Sequence, residues 1–173
     1  MTRGTHLWAA GGAVLIAASA WLVGVRLNLT SSLPPGLYLV TGRERARGAI
    51  VLVCLPYEVA TFARVRGYVP RGKCPAWAAP VGKTVLAVSG DTVSVLAGGL
   101  RVNGAPVPTS VARGSDSRGR PLPTLSVGCY IVRPGELWLL GRHALSFDSR
   151  YYGPVASSGV LTVVRPLWFF GGK

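Results

Sequence analysis

The N-terminal part of the chain contains a segment of nineteen residues, Leu7–Val25, that carries no charged side chain. At about 1.5 Å per residue, a helix of this length is roughly 28 Å long, close to the hydrocarbon thickness of a bilayer. Trp8 and Trp21 lie near its ends, where interfacial aromatic side chains are typical. The segment therefore predicts one transmembrane helix, which separates residues 1–6 from a single domain formed by residues 26–173.

A cleaved secretory signal is the alternative, because Ala18, Ser19 and Ala20 form a small-x-small cleavage pattern. The apolar run continues beyond Ala20, which favours an anchor. Arginines lie on both sides of the segment, so the positive-inside rule does not fix its orientation. We expect a short cytoplasmic N-terminus with the domain on the outer side of the membrane, a choice that depends on the expected function and not on charge.

The remainder of the chain has short runs of Val, Ile and Leu separated by Gly, Pro and Asn, a pattern typical of strands and turns. It predicts a mostly β domain with strands at Gly36–Thr41, Ala49–Leu55, Val81–Val88, Thr92–Leu96, Leu100–Val102, Gly128–Ile131, Leu137–Leu140 and Val160–Val164. One soluble helix is predicted over Glu58–Arg66. The Gly/Pro-rich polar stretch Ala112–Pro123 predicts a mobile loop.

The formal net charge is +13, but the basic residues are scattered singly and match no known nucleic-acid-binding motif. Proximity to anionic lipid headgroups accounts better for this charge, as does a compositional preference for arginine. The chain has only six acidic residues and no C-x-x-C spacing. We therefore expect no metal, no cofactor and no nucleic-acid partner.

The three cysteines are Cys54, Cys74 and Cys129. In an oxidising compartment two of them can pair. Cys54 ends a predicted strand and Cys74 lies in a Gly/Pro-rich loop, so these two are the preferred pair. Three free thiols remain the alternative.

Two segments carry groups suited to nucleophilic catalysis. Ser32 lies in a turn rich in proline and glycine, and Lys83 is the one lysine within an apolar strand. Burial disfavours the charged form of a lysine, so its neutral amine can accept a proton from a hydroxyl, which arginine cannot do. A triad based on His143 and Asp148 is the alternative, although no G-x-S-x-G motif accompanies it.

The sequence resembles TraF-like conjugative transfer peptidases, which are relatives of bacterial signal peptidase I, at three ordered motifs. The first follows the pattern N-x-T/S-x-S-x-P-x-G-x-Y and comprises Asn28, Thr30, Ser32, Pro34, Gly36 and Tyr38. The second runs from Lys83 to Asp91, and the third, S-x-D-S-R-Y-x-G, begins at Ser146. Thr84 and Ser89 depart from the arginine and proline usual in the second motif.

The resemblance implies a signal peptidase/LexA-like β domain with a Ser–Lys dyad. Ser32 would be the nucleophile and Lys83 the general base, while the backbone N–H of Ser32 and the hydroxyl of Thr30 would stabilise the oxyanion. Ser146 would orient the lysine amine. Asp148 and Arg150 would support the wall of the site through an ion pair.

The expected function is that of a membrane-anchored serine endopeptidase that cleaves an exported precursor after small residues. For the TraF-like branch the substrate would be a conjugative pilin, and the family also admits head-to-tail cyclisation of the pilin. A general type I signal peptidase is the near alternative. A self-cleaving repressor domain is disfavoured because it would need a helical DNA-binding module where this chain has the predicted membrane span. A non-catalytic component of a secretion or conjugation channel is the non-enzymatic alternative.

Overall fold

The computed structural model describes residues 19, 23–28, 33–42 and 44–170. Its elements are mostly strands. In chain order these are β1 (Val25–Asn28), β2 (Gly36–Thr41), β3 (Ile50–Val53), β4 (Arg71–Cys74), β5 (Val81–Ala87), β6 (Thr92–Leu96), β7 (Gly99–Val102), β8 (Ala105–Pro106), β9 (Gly128–Ile131), β10 (Glu136–Leu140), β11 (Val155–Ala156) and β12 (Val160–Phe169). The helices are α1 (Tyr57–Val65) and the one-turn α2 (Ser149–Tyr152), with 3₁₀ turns at Pro75–Trp77 and Ser157–Gly159.

Most of the strands form two antiparallel sheets. The larger has seven strands in the order β1-β2-β12-β3-β5-β10-β11, and the smaller has four in the order β8-β7-β6-β9. β5 lies in the interior of the larger sheet, between β3 and β10. The mostly β class predicted from the sequence is therefore confirmed.

The side chains of β10 connect the two halves of the core, because successive residues of a strand point to opposite faces. Leu137 and Leu139 belong to the same buried apolar cluster as Ala60 and Ala63 of α1. Trp138 packs with the apolar residues of the smaller sheet. The interior of the larger sheet is thus covered on both faces, and a polar side chain there is held away from water.

The eight predicted strands are all present, and three of them have the predicted bounds: β2, β6 and β9. The predicted helix begins and ends one residue earlier than expected. Glu58 lies in its first turn and Arg64 in its last, where each charge complements the helix dipole. Sequence patterning missed β1, β4, β8 and β11, which have only two to four residues each.

The predicted membrane span falls almost entirely outside the described residues. Within the residues that are described, no helix is long and apolar enough to cross a bilayer. The last three residues of the predicted span do lie within the described part of the chain. Val25 belongs to β1, and Gly24 has a φ of 85° in the turn before it, a left-handed conformation that glycine adopts without strain.

Two loop features complete the frame of the site. Cys54 and Cys74 form a disulfide that joins the ends of β3 and β4, which is the preferred pairing, and Cys129 is free and exposed. The stretch Ala112–Pro123 lacks helix and strand, but it is anchored rather than loose. The Asp116 carboxylate accepts hydrogen bonds from the backbone N–H groups of Arg118 and Arg120, both at 2.9 Å.

Candidate active site

Lys83 lies in the middle of the larger sheet and is almost completely buried. Its Cα pairs with that of Val51 on β3, and only 2% of the residue is exposed. Its Nζ donates a hydrogen bond to Ser146 Oγ. Burial lowers the pKa of the Lys83 amine to about 8, with the Asp148 charge opposing this shift and the Arg150 charge reinforcing it. At pH 7 roughly a tenth of this amine therefore carries no proton, far more than for an exposed lysine.

Ser146 reaches Lys83 from the segment between β10 and α2. Its backbone N–H donates to the carbonyl of His143 at 2.9 Å, so the segment turns back on itself at this point. Gly141, at the start of the segment, lies directly against the pair. A Cβ at position 141 would overlap the Ser146 hydroxyl and lie 3.2 Å from Lys83 Nζ. Only glycine leaves space for the Lys83–Ser146 hydrogen bond.

Asp148 and Arg150 form a buried ion pair beside the lysine. Arg150 Nε lies 2.8 Å from Asp148 Oδ1, and Nη2 lies 2.8 Å from Oδ2, so the contact is bidentate. Asp148 also caps α2 by accepting from the Arg150 N–H, and it accepts from the Gly141 N–H at 2.8 Å. Every carboxylate oxygen therefore has a partner, as a fully buried charge requires.

The remaining donors of Arg150 bind backbone carbonyls around the site. Nη2 donates to Ser146 O at 2.9 Å and to His143 O at 3.3 Å, and Nη1 donates to Ala144 O and Thr109 O. One guanidinium thus binds three carbonyls within the segment that presents Ser146 and one carbonyl of the loop after β8. Arg150 therefore fixes the backbone of the segment between β10 and α2.

A cavity of about 410 Å³ opens onto the lysine and the serine. Its volume lies in the range of small-ligand pockets, and about half of its walls are apolar or aromatic. Phe147 stacks against Phe62 and Tyr151, with ring centroids 5.3 and 5.6 Å apart. Such a cavity can hold short uncharged side chains next to a proton acceptor.

The structure brings four predicted site residues together: Lys83, Ser146, Asp148 and Arg150. Ser32 and Thr30 lie outside the described residues. Leu33, which follows Ser32, is buried against Gly82, which precedes Lys83, so closely that a Cβ on Gly82 would overlap the leucine side chain. The motif that contains Ser32 and the motif that begins at Lys83 therefore come into contact through Leu33 and Gly82.

The alternative base, His143, is exposed at the rim of the cavity. Its Nδ1 accepts from the Leu145 N–H at 3.1 Å, and the described residues show no contact between its ring and Asp148. The Asp148 carboxylate instead accepts hydrogen bonds from the Gly141 N–H and from Arg150. The described part of the chain also has no cluster of His, Cys, Asp or Glu that could bind a metal ion.

Sequence reasoning missed Gly141 and Arg113. Gly141 directly follows a strand and gave no signal, since glycines end many strands. Arg113 was one of many scattered arginines, and its place in the cavity wall depends on the course of an irregular loop. Neither position could be recognised without the tertiary structure.

The model of the family described as "Signal peptidase, peptidase S26" matches residues 4–169. A plasmid transfer protein TraF from Escherichia coli is 40% identical over 160 residues, which is 91% of this chain and 90% of the relative. A conjugal transfer protein TraF from Agrobacterium tumefaciens (strain 15955) is 41% identical over 175 residues, 97% of each chain. Among solved structures, a signal peptidase I from Enterococcus faecalis V583 is 18% identical, with a TM-score of 0.40 over 71% of this chain and 98% of that one.

Proposed function

Since this chain belongs to the signal peptidase family, peptidase S26, we propose that it is a serine endopeptidase with Ser32 as nucleophile and Lys83 as general base. The observation that carries the proposal is the buried Lys83 amine, which is bonded to Ser146 and faces a cavity. An amine with a pKa of about 8 is a base suited to removing the proton of a hydroxyl near neutral pH.

The reaction follows from these groups in two stages. Ser32 Oγ attacks the carbonyl carbon of the peptide bond while Lys83 Nζ takes the hydroxyl proton. Collapse of the tetrahedral adduct breaks the C–N bond, and the lysine ammonium returns its proton to the leaving amine. The backbone N–H of Ser32 and the hydroxyl of Thr30 are the proposed donors to the oxyanion.

The second stage releases the acyl group. Lys83 removes a proton from water or from an amine of the substrate, and this nucleophile attacks the ester carbonyl. The C–O bond to Ser32 then breaks, and the lysine ammonium returns its proton to Ser32 Oγ. Water gives hydrolysis. An amine of the same precursor gives a cyclic product, which is the outcome proposed for a pilin.

The fixed position of the lysine supports this assignment. The Ser146 hydroxyl accepts from the amine, and the Asp148–Arg150 pair holds the segment that presents Ser146. The packing of Leu33 on Gly82 supports the pairing of Ser32 with Lys83, because it joins the two motifs one residue from each group. Correct positioning of such groups accounts for a large share of enzymatic rate enhancement.

The substrate we propose is an exported precursor protein, most specifically a conjugative pilin. Relatives of nearly the same length are named as plasmid or conjugal transfer proteins, which supports a role in conjugation. The apolar walls around Lys83 suit small residues before the cleaved bond. A general signal peptidase would process unrelated exported precursors equally well.

We propose that the chain is anchored in the inner membrane with its domain in the periplasm. The uncharged segment Leu7–Val25 supports an anchor. The Cys54–Cys74 disulfide supports an oxidising compartment, since such bonds are rare in a reducing cytoplasm. Membrane lipid is accordingly a proposed partner, beside the precursor.

The test compares Ser32→Ala with Ser31→Ala in the full chain, with processing of a pilin precursor followed by mass spectrometry. Ser32→Ala should abolish processing, because it removes the nucleophile, whereas Ser31→Ala should remain active. A dead Ser31→Ala with an active Ser32→Ala would transfer the nucleophile to Ser31. Processing that survives both changes would contradict the assignment of the nucleophile to this turn, and a wild-type chain that processes no precursor would support the non-catalytic alternative.

A further inference from the structure

The wall of the active-site cavity contains one arginine, Arg113, which lies in the irregular stretch between β8 and β9. Its backbone N–H donates to the Tyr151 hydroxyl at 3.1 Å, and Tyr151 stacks on Phe147, the residue after Ser146. The backbone of Arg113 is therefore fixed relative to the catalytic segment. Its side chain is exposed and, within the described residues, makes no hydrogen bond or ion pair.

No acidic side chain of the protein neutralises this arginine. All six acidic residues of the chain lie within the described ranges, and none pairs with Arg113. Asp148 is bonded to Arg150 and Asp91 to Arg47. The cavity thus has a permanent positive charge that the fold does not balance.

Asp116 is the one acidic residue in the cavity wall, and its carboxylate is already occupied. Oδ2 accepts from the Tyr68 hydroxyl and from Arg120 Nε at 2.8 Å, while Oδ1 accepts from two backbone N–H groups of its own loop. The hydrogen bond from Tyr68, helped by those from Arg120 and Arg118, holds the pKa of this carboxyl well below its usual range. Asp116 therefore remains paired within its loop and has no free oxygen to offer Arg113.

We propose that Arg113 binds a carboxylate of the substrate, so that the enzyme prefers a precursor with an acidic group near the cleaved bond. This inference rests on the proposed peptidase function and deepens it by naming a feature of the substrate. A guanidinium suits this role because its planar donors match the two oxygens of a carboxylate. The surrounding aromatic walls exclude part of the water that would otherwise screen the pair.

The carboxylate can belong to an acidic side chain or to the C-terminus of the substrate. An extended peptide advances roughly 3.3 Å per residue, so a cavity of this size admits only a few residues around the cleaved bond. Both sources offer the same chemistry to Arg113. Amidation of the peptide C-terminus distinguishes them without changing the side chains.

The experiment measures kcat/KM of the full chain on a matched pair of fluorogenic peptides. Both have small residues before the cleaved bond, and they differ only by Glu or Gln within three residues of it, with C-termini free or amidated. We expect the wild type to prefer the Glu peptide about twofold to fivefold, the scale of an exposed ion pair. Arg113→Gln should remove this preference, and Arg113→Glu should transfer it to a Lys peptide.

Arg118→Gln is the matched control, because Arg118 lies in the same loop and has the same charge but does not line the cavity. It should retain the wild-type preference. Binding of the uncleaved peptides to Lys83→Ala, followed by fluorescence anisotropy, should show the same dependence on Arg113. The preference should also weaken as salt concentration rises.

Several outcomes would overturn the inference. These are a wild type that distinguishes neither Glu from Gln peptides nor free from amidated C-termini, a Glu or C-terminal preference that survives in Arg113→Gln, or an equal loss of preference in Arg118→Gln. Equal cleavage of the Glu and Gln peptides, with a loss on amidation in the wild type but not in Arg113→Gln, would assign the carboxylate to the substrate C-terminus. A wild-type chain no more active than Lys83→Ala on every peptide would overturn the proposed peptidase function itself, and this inference with it.

Discussion

At the scale of single residues, Lys83 departs most from ordinary packing. A charged amine inside a sheet is unfavourable unless it is paired or loses its proton. Here the Ser146 hydroxyl accepts a hydrogen bond from the amine, and the nearest carboxylate, Asp148, is already bound to Arg150. The lysine is thus surrounded in a way that favours its neutral form, which is the form that a general base needs.

We predict that Lys83→Arg and Lys83→Met both lower kcat by several orders of magnitude. Guanidinium keeps its proton at any working pH, and methionine keeps the apolar stem without the amine. Circular dichroism checks that each variant folds, and Lys73→Ala, at an exposed position on β4, should retain activity. Substantial activity in Lys83→Arg would direct attention back to His143.

The pH profile of the wild type follows from the same lysine. Below its folded pKa of about 8 the amine is protonated and cannot act as a base, so kcat/KM should fall about tenfold per pH unit. Above that pKa the rate should reach a plateau. A profile with its midpoint well below this value, where an imidazole titrates, would contradict the assignment of the base.

At the scale of elements, the segment between β10 and α2 determines whether the lysine has its partner. Arg150 binds carbonyls along this segment, Asp148 caps the helix that follows, and Gly141 allows the close approach at its start. Together these contacts place Ser146 Oγ within hydrogen-bonding distance of Lys83 Nζ. A disturbance anywhere in the segment should therefore affect the lysine.

We predict that Gly141→Ala lowers kcat about a hundredfold, since an added Cβ must displace Ser146 and misplaced catalytic groups lose roughly this much rate. Gly98→Ala is the control, because a Cβ there meets nothing within 4 Å. In a Ser146→Ala background, Gly141→Ala should add a much smaller loss, which a double-mutant cycle measures. Full additivity of the two changes would show that Gly141 acts by some other route.

At the scale of the whole molecule, the disulfide and the proposed anchor concern the compartment in which the domain works. Cys54–Cys74 joins the ends of β3 and β4, and β3 is the direct neighbour of the strand that holds Lys83. An oxidising compartment allows this bond to form. The proposed membrane topology places the same domain where exported precursors arrive.

We predict that alkaline phosphatase fused after Lys173 is active in bacterial cells, whereas a β-galactosidase fusion at the same point is inactive. Each reporter functions on one side of the inner membrane only, so the pair fixes the side on which the domain lies. The same chain without residues 1–25 should reverse the pattern, because it lacks the proposed export and anchor segment. The reversed result in the full chain would overturn both the topology and the choice of an exported substrate.

The sequence by itself determined the local features of this protein. Alternating apolar residues between turn-forming residues predict the observed first and last residues of β2, β6 and β9, because strand period and turn chemistry are properties of neighbouring residues. The mostly β class and the single larger helix follow from the same patterns. The resemblance of three motifs also indicated which side chains to examine, although spacing alone does not pair Lys83 with a serine 63 residues away.

Only the tertiary structure decided how these groups meet. Strand order places β5 between β3 and β10, which buries Lys83 and thereby lowers its pKa, and no local pattern encodes that order. The closeness of Gly141 to Ser146 and the place of Arg113 in the cavity wall depend on irregular backbone between strands. Such contacts arise from packing between distant segments, so the sequence supplies the groups and the fold determines their chemistry.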